Sequence, residues 1–127
     1  MRTNLAYSAY SQNNISIESS EKLIKMLYEG VLKFASQAKK SIELENTEKK
    51  VYWINRTTAI FSELLNSLNY DGGGEIAHYL SGLYTHQIKL LTEANMNNDT
   101  KKLDEVLNVT KVLLQSWNEE TSYDLDQ

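Results

Sequence analysis

The chain has 127 residues with neither cysteine nor proline, and its 13 basic and 17 acidic side chains leave a net charge of −4. That length suits one domain with its own core; lack of cysteine excludes disulfides, a thiol nucleophile and cysteine-based zinc sites; and an acidic balance argues against a nucleic-acid partner, which needs a basic face for phosphates. No charged-then-apolar leader is seen and no apolar run nears the ~18 residues of a membrane span, so the expected compartment is the cytosol, without membrane insertion.

The first stretch, "TNLAYSAYSQNNISI" at residues 3–17, contains no charged residue and carries Leu5, Tyr7, Tyr10, Ile15 and Ile17 at no sustained helical period. A disordered tail is ordinarily charged and poor in aromatics. Residues 1–18 therefore read as an adhesive N-terminal arm. A first helix is expected over about residues 20–44, capped by Ser19, with a core stripe of Leu23, Leu27, Val31, Phe34 and Ala38. After the break at "ENTE", a second helix over about residues 47–69 presents Val51, Ile54, Thr58, Phe61, Leu65 and Leu68. The glycines of "YDGGGE" separate it from a third, about residues 75–95, with Ile76, Leu80, Leu83, Gln87, Leu90 and Ala94. Past "ANMNND", Asp99 is placed to cap a fourth over about residues 100–120, whose stripe is Leu103, Val106, Thr110, Leu113 and Trp117.

No β-branched alternation interrupts this pattern, so the fold class is all-α. Four helices of similar length on short loops must fold back on their neighbours, which predicts an antiparallel up-down-up-down four-helix bundle with an N-terminal arm. The expected division is arm at residues 1–18, bundle at 19–120 and an acidic, frayed tail at 121–127.

A catalytic centre finds little support. "EIAH", Glu75 to His78, has the Glu-x-x-His spacing used by di-iron bundles, but such a site needs a second pair and two further inward glutamates. His78 also points away from the stripe of Ile76 and Leu80. His86 lies eight residues on, too far to share a metal from the adjacent turn. No serine sits in a Gly-x-Ser-x-Gly turn, and no glycine loop follows a strand. No catalytic residue, metal ligand or cofactor is assigned, and the chain does not read as an enzyme.

Apolar residues off the core stripes are more informative. Trp53, Thr57, Ile60 and Leu64 form a second row on the second helix; Val109 and Val112 do so on the fourth; Tyr84 and Ile88 lie at the edge of the third. Either these border a broad buried face, or they form a partner-binding groove, the natural seat of an amphipathic helix. On the second reading Leu5, Tyr7 and Tyr10 of the arm are a removable cover, tethered at high effective concentration; on the first, the arm packs statically or stays disordered. Gly30 and Gly82 each cost about 1 kcal/mol in a helix interior relative to alanine. Either they admit a close neighbour or they are tolerated by chance.

"SSEKLIKMLYEG" (Ser19 to Gly30) closely resembles the first-helix signature of the flagellin-specific export chaperones, the FliS family. The resemblance continues through "INR" (Ile54 to Arg56), "ELLNSLNY" (Glu63 to Tyr70), "GGEIAHYLSGLY" (Gly73 to Tyr84), "LLTEAN" (Leu90 to Asn95), "LDEVL" (Leu103 to Leu107) and "LLQSW" (Leu113 to Trp117). Ser20 departs from the family's usual proline at the first helical position, a site whose amide has no intrahelical partner in any case. The resemblance implies a cytoplasmic bundle that binds the disordered C-terminal segment of flagellin, prevents premature polymerisation and presents it to a flagellar export gate component of the type III apparatus. A co-chaperone is a further candidate partner. A general helical adaptor docking a folded signalling or secretion protein is the alternative the residues leave open.

Overall fold

The computed structural model describes the backbone of residues 17–126 and the side chains of residues 20–120. Leu5, Tyr7 and Tyr10 lie outside the described residues. Four helices follow in order, α1 (Ile17–Glu43), α2 (Thr47–Asn66), α3 (Tyr70–Asn97) and α4 (Thr100–Asp126), with no strand among the described residues.

Each boundary has a local cause. Asn46 caps α2 by accepting from the Lys49 amide at 3.1 Å, and Asn69 caps α3 by accepting from the Gly72 amide at 3.0 Å. Asp99 caps α4 as expected, its carboxylate accepting from the Lys101 amide at 3.0 Å; such caps satisfy amides that have no partner in the first turn. Asn98 closes α3 in the left-handed region, φ 52, with its amide on the Ala94 carbonyl.

Four boundaries differ from expectation, the simplest being that α2 ends at Asn66, short of the expected residue 69. α1 begins at Ile17, so Ser19 lies inside the helix rather than capping it. No glycine or proline stands near residues 17–20 to stop the helix extending that far. α4 continues to Asp126, through residues expected to fray. α3 begins at Tyr70, and its first turn is set off by Gly74 at φ 51, ψ −127. That conformation is open essentially to glycine alone.

The four helices close into a ring: α1 packs against α2 and α4, and α3 packs against the same two. Polar contacts pin the ends. The nearly buried Lys50, at the start of α2, donates from Nζ to the Asn95 carbonyl at 2.9 Å and to Asn98 Oδ1 at 2.8 Å, at the end of α3. Two oxygens thereby offset the cost of burying an ammonium. Lys39 near the end of α1 meets Asp104 near the start of α4 at 2.8 Å. Trp117 Nε1, late in α4, donates to the Glu21 carbonyl at 3.0 Å, early in α1.

Inside the ring, the rows of every seventh residue fall where expected: Val31 and Ala38, Ile54, Phe61 and Leu68, Leu80, Gln87 and Ala94, Leu103, Thr110 and Trp117 are all buried. The intervening positions are corrected in all four helices; in α4 Leu113, expected in the core stripe, is only partly buried and faces the α3–α4 groove. α1 buries Ile24, Tyr28 and Ala35 rather than Leu23, Leu27 and Phe34. α2 buries Lys50, Thr57 and Leu64 in place of Val51, Thr58 and Leu65, and α3 buries Ala77, Tyr84 and Leu91 in place of Ile76 and Leu83. The polar members enter because their groups are satisfied. Tyr28 and Tyr84 share a hydrogen bond at 2.6 Å across the core, and Thr57 and Thr110 donate to the Trp53 and Val106 carbonyls, each at 2.8 Å.

Two glycines of α3 should respond oppositely to alanine. Gly74→Ala forces a side chain into the positive-φ turn and is expected to lower unfolding stability by about 1–3 kcal/mol. Gly82 is exposed, with nothing within 4 Å of an added Cβ, so Gly82→Ala is expected to raise stability by about 1 kcal/mol. Urea denaturation of the two variants checks both signs.

Candidate partner-binding surface

The six residues expected to line one groove separate into three environments. Thr57 and Leu64 are wholly buried and belong to the core. Neither presents surface to a partner in this structure, which corrects that part of the assignment. The cause is the choice of flank on α2, where Thr57 satisfies its hydroxyl within its own helix and can turn inward.

Trp53 and Ile60 are half-buried on the side of α2 that meets α1. The Trp53 ring lies 5.4 Å from the Phe34 ring of α1, centroid to centroid, tilted by 34°. Ile60 reaches Gly30, where an added Cβ would stand 2.9 Å from its Cδ1. The close-approach reading of Gly30 therefore holds, the approaching group being a side chain. Tyr52, half-exposed, meets Trp53 edge-on at 4.8 Å and 81°. Arg56 lies over the same rings, 4.8 Å from the Phe34 centroid and 5.6 Å from that of Tyr52.

Val109 and Val112 lie elsewhere. With Leu113 and Asn108 of α4 and Tyr79 and Leu83 of α3 they line an open, largely apolar groove of about 330 Å³. Val112 is 62% exposed and Tyr79 67%, large apolar groups that α3 and α4 leave uncovered. Since α1 and α2 occupy one side of the ring and α3 and α4 the other, the expected single groove is two apolar faces on opposite sides.

Several members escaped the sequence reading. Phe34 and Leu83, expected in the core stripe, are only partly buried, and Tyr84, expected at the edge of its stripe, is buried. Tyr52, Arg56 and Tyr79 were not singled out. The available signal was spacing: Tyr52 and Arg56 stand one turn apart beside Trp53, and Tyr79 stands one turn before Leu83. His78, the histidine of the Glu-x-x-His stretch, is exposed and packs its ring 4.8 Å from that of Tyr70. No cluster of three or more metal-ligating side chains occurs among the described residues.

Residues 2–122 match the profile of the family described as Flagellar protein FliS. The chain is similar to the flagellar secretion chaperone FliS of Campylobacter jejuni, with 58% identity over 94% of this chain and 93% of that protein. It is also similar to the flagellar secretion chaperone FliSB of Pseudomonas aeruginosa, with 34% identity over 88% and 92% of the two chains. The flagellar secretion chaperone FliS of Bacillus subtilis is 32% identical over 87% and 82%. The matched residues reach into all four helices, and the chain belongs to the FliS family.

Proposed function

We propose that this protein is a cytosolic, non-catalytic export chaperone that binds the disordered C-terminal segment of flagellin, prevents its premature polymerisation and delivers it to the flagellar type III export apparatus. The observation that carries the proposal is membership of a chaperone family along nearly the whole chain, combined with apolar surface on two sides of the bundle. A disordered segment loses conformational entropy on binding, so its affinity has to come from contacts spread along a path rather than from one deep pocket. Strips on opposite faces suit a client that wraps around the bundle. Among the described residues no helix is long and apolar enough to cross a membrane.

On this reading the helices run up-down-up-down, consistent with the start of α2 meeting the end of α3 through Lys50. Leu5, Tyr7 and Tyr10 serve as a detachable cover that the client displaces. A component of the export gate is the receiving partner, and a co-chaperone is accommodated wherever one face stays open.

A peptide of flagellin's C-terminal segment is expected to bind one-to-one with submicromolar affinity in calorimetry. Lack of binding at ~100 μM would remove the proposal and favour the general adaptor. Val112→Asp is expected to weaken binding about tenfold or more with an unchanged Tm, since it removes one exposed apolar contact. Ile60→Asp should lower Tm as well, because Ile60 packs into the junction of α1 and α2. Removing the residues before Ile15 is expected to tighten peptide binding by raising the binding-competent fraction; weaker binding would show that the arm itself contributes contacts.

A further inference from the structure

Arg56 is a cation in an acidic protein, and no counter-ion faces it among the described residues. Its guanidinium lies over the Phe34 ring at 4.8 Å and the Tyr52 ring at 5.6 Å from their centroids, and its Nη1 donates to the Tyr52 hydroxyl at 3.1 Å. Among the described residues no carboxylate pairs with it. The surrounding sequence removes any near candidate: α2 has no acidic residue between Glu48 and Glu63, and α1 has none from Gly30 to Ala38. The exposed charge beside Phe34 is another base, Lys33. A small positive, aromatic island thus stands on a chain whose net charge is −4.

The two ring contacts and the hydrogen bond hold the guanidinium in place and reduce the rotamer freedom that an arginine ordinarily loses when it captures a ligand. The hydroxyl takes one donor, and the others remain for an oxyanion, which a planar fork holds bidentately. Beside it, half-exposed Tyr52 and half-buried Trp53 offer apolar ring surface. The site pairs a carboxylate receptor with an apolar shelf.

We propose that Phe34, Tyr52, Trp53 and Arg56 form a carboxylate-reading subsite. It takes an Asp or Glu side chain of the client's flagellin segment on Arg56 and an adjacent apolar side chain on Tyr52 and Trp53. This rests on the chaperone reading above and adds to it a chemical requirement on the client: an acidic residue must sit next to an apolar one where the segment crosses α1 and α2. Charge complementarity selects that occupant. A second copy of this chain is the competing one.

Calorimetry of the full chain with the flagellin C-terminal peptide provides the test. Arg56→Gln is expected to weaken binding about 10- to 100-fold, the worth of a charge-assisted pair, and Arg56→Lys to restore only part of the loss because the fork is gone. A peptide with its acids changed to their amides should bind wild type as weakly as the native peptide binds Arg56→Gln, with no further loss in that variant. The wild-type affinity should also fall as salt rises from about 50 to 500 mM. If wild type binds the peptide but Arg56→Gln binds within about twofold of it, the subsite is overturned while the chaperone reading stands. If wild type binds no peptide, the chaperone reading fails and the subsite with it. A change in self-association on sedimentation, with client affinity unchanged, would assign the island to a second copy and overturn the proposal. Should Arg56→Gln lower Tm, the amide peptide against wild type decides alone: no weakening overturns the subsite.

Discussion

In a closed ring of four helices, each helix can turn only one arc toward the shared interior. Every apolar side chain outside that arc must meet a neighbouring helix or water. The arc is centred on a residue that recurs every seventh position, and here those rows are filled without exception by buried groups, from Val31 and Ala38 in α1 to Leu103, Thr110 and Trp117 in α4. Space at the centre is limited, so the intervening positions favour side chains that fit closely or satisfy their own polar groups. Ala35 and Ala77 bring backbones near, Thr57 bonds within its helix, and Tyr28 and Tyr84 join hydroxyls across the middle.

The same constraint produces the surface. Because those groups take the inner flank, Phe34, Trp53 and Ile60 are turned to the α1–α2 side, and Leu83, Val109 and Val112 to the α3–α4 side. Apolar area appears outside as a consequence of how the inside is filled. On the function proposed above this is an economical arrangement: the bundle holds its fold through the inner rows, and the exposed parts of the outer strips, Val112 and Tyr79 foremost, are what a client meets. Opposite placement matters too, since no single straight helix can lie on both faces, and an extended segment can.

The two faces differ in chemistry. The α3–α4 groove is apolar with Asn108 at its lining. The α1–α2 face adds a guanidinium over its aromatic rings. A client that engages both meets a nonspecific apolar contact on one side and an orientation-dependent polar one on the other. Charge pairs of the second kind contribute to register and partner choice more than to raw affinity.

Helix number, the interhelical breaks and the seven-residue rows were legible from residue types, because a 3.6-residue period with glycine and asparagine punctuation leaves little choice of local structure. The cap at Asp99 follows the same chemistry, whereas Asn69, expected within the second helix, caps α3 instead. Family membership was equally legible, carried by an ordered set of short motifs from Ser19 to Trp117. The flank of each helix that faces inward was not. Positions three and four after a core residue lie at similar angles on either side of it, so on α2 Thr57 and Thr58, or Leu64 and Leu65, are equivalent until the neighbours are in place. That choice moved Thr57 and Leu64 from the expected groove into the core, moved Phe34 and Leu83 outward, and divided one expected face into two. Local spacing is a property of one chain segment; which flank is inside depends on the close packing of three other helices, and only the assembled bundle contains that information.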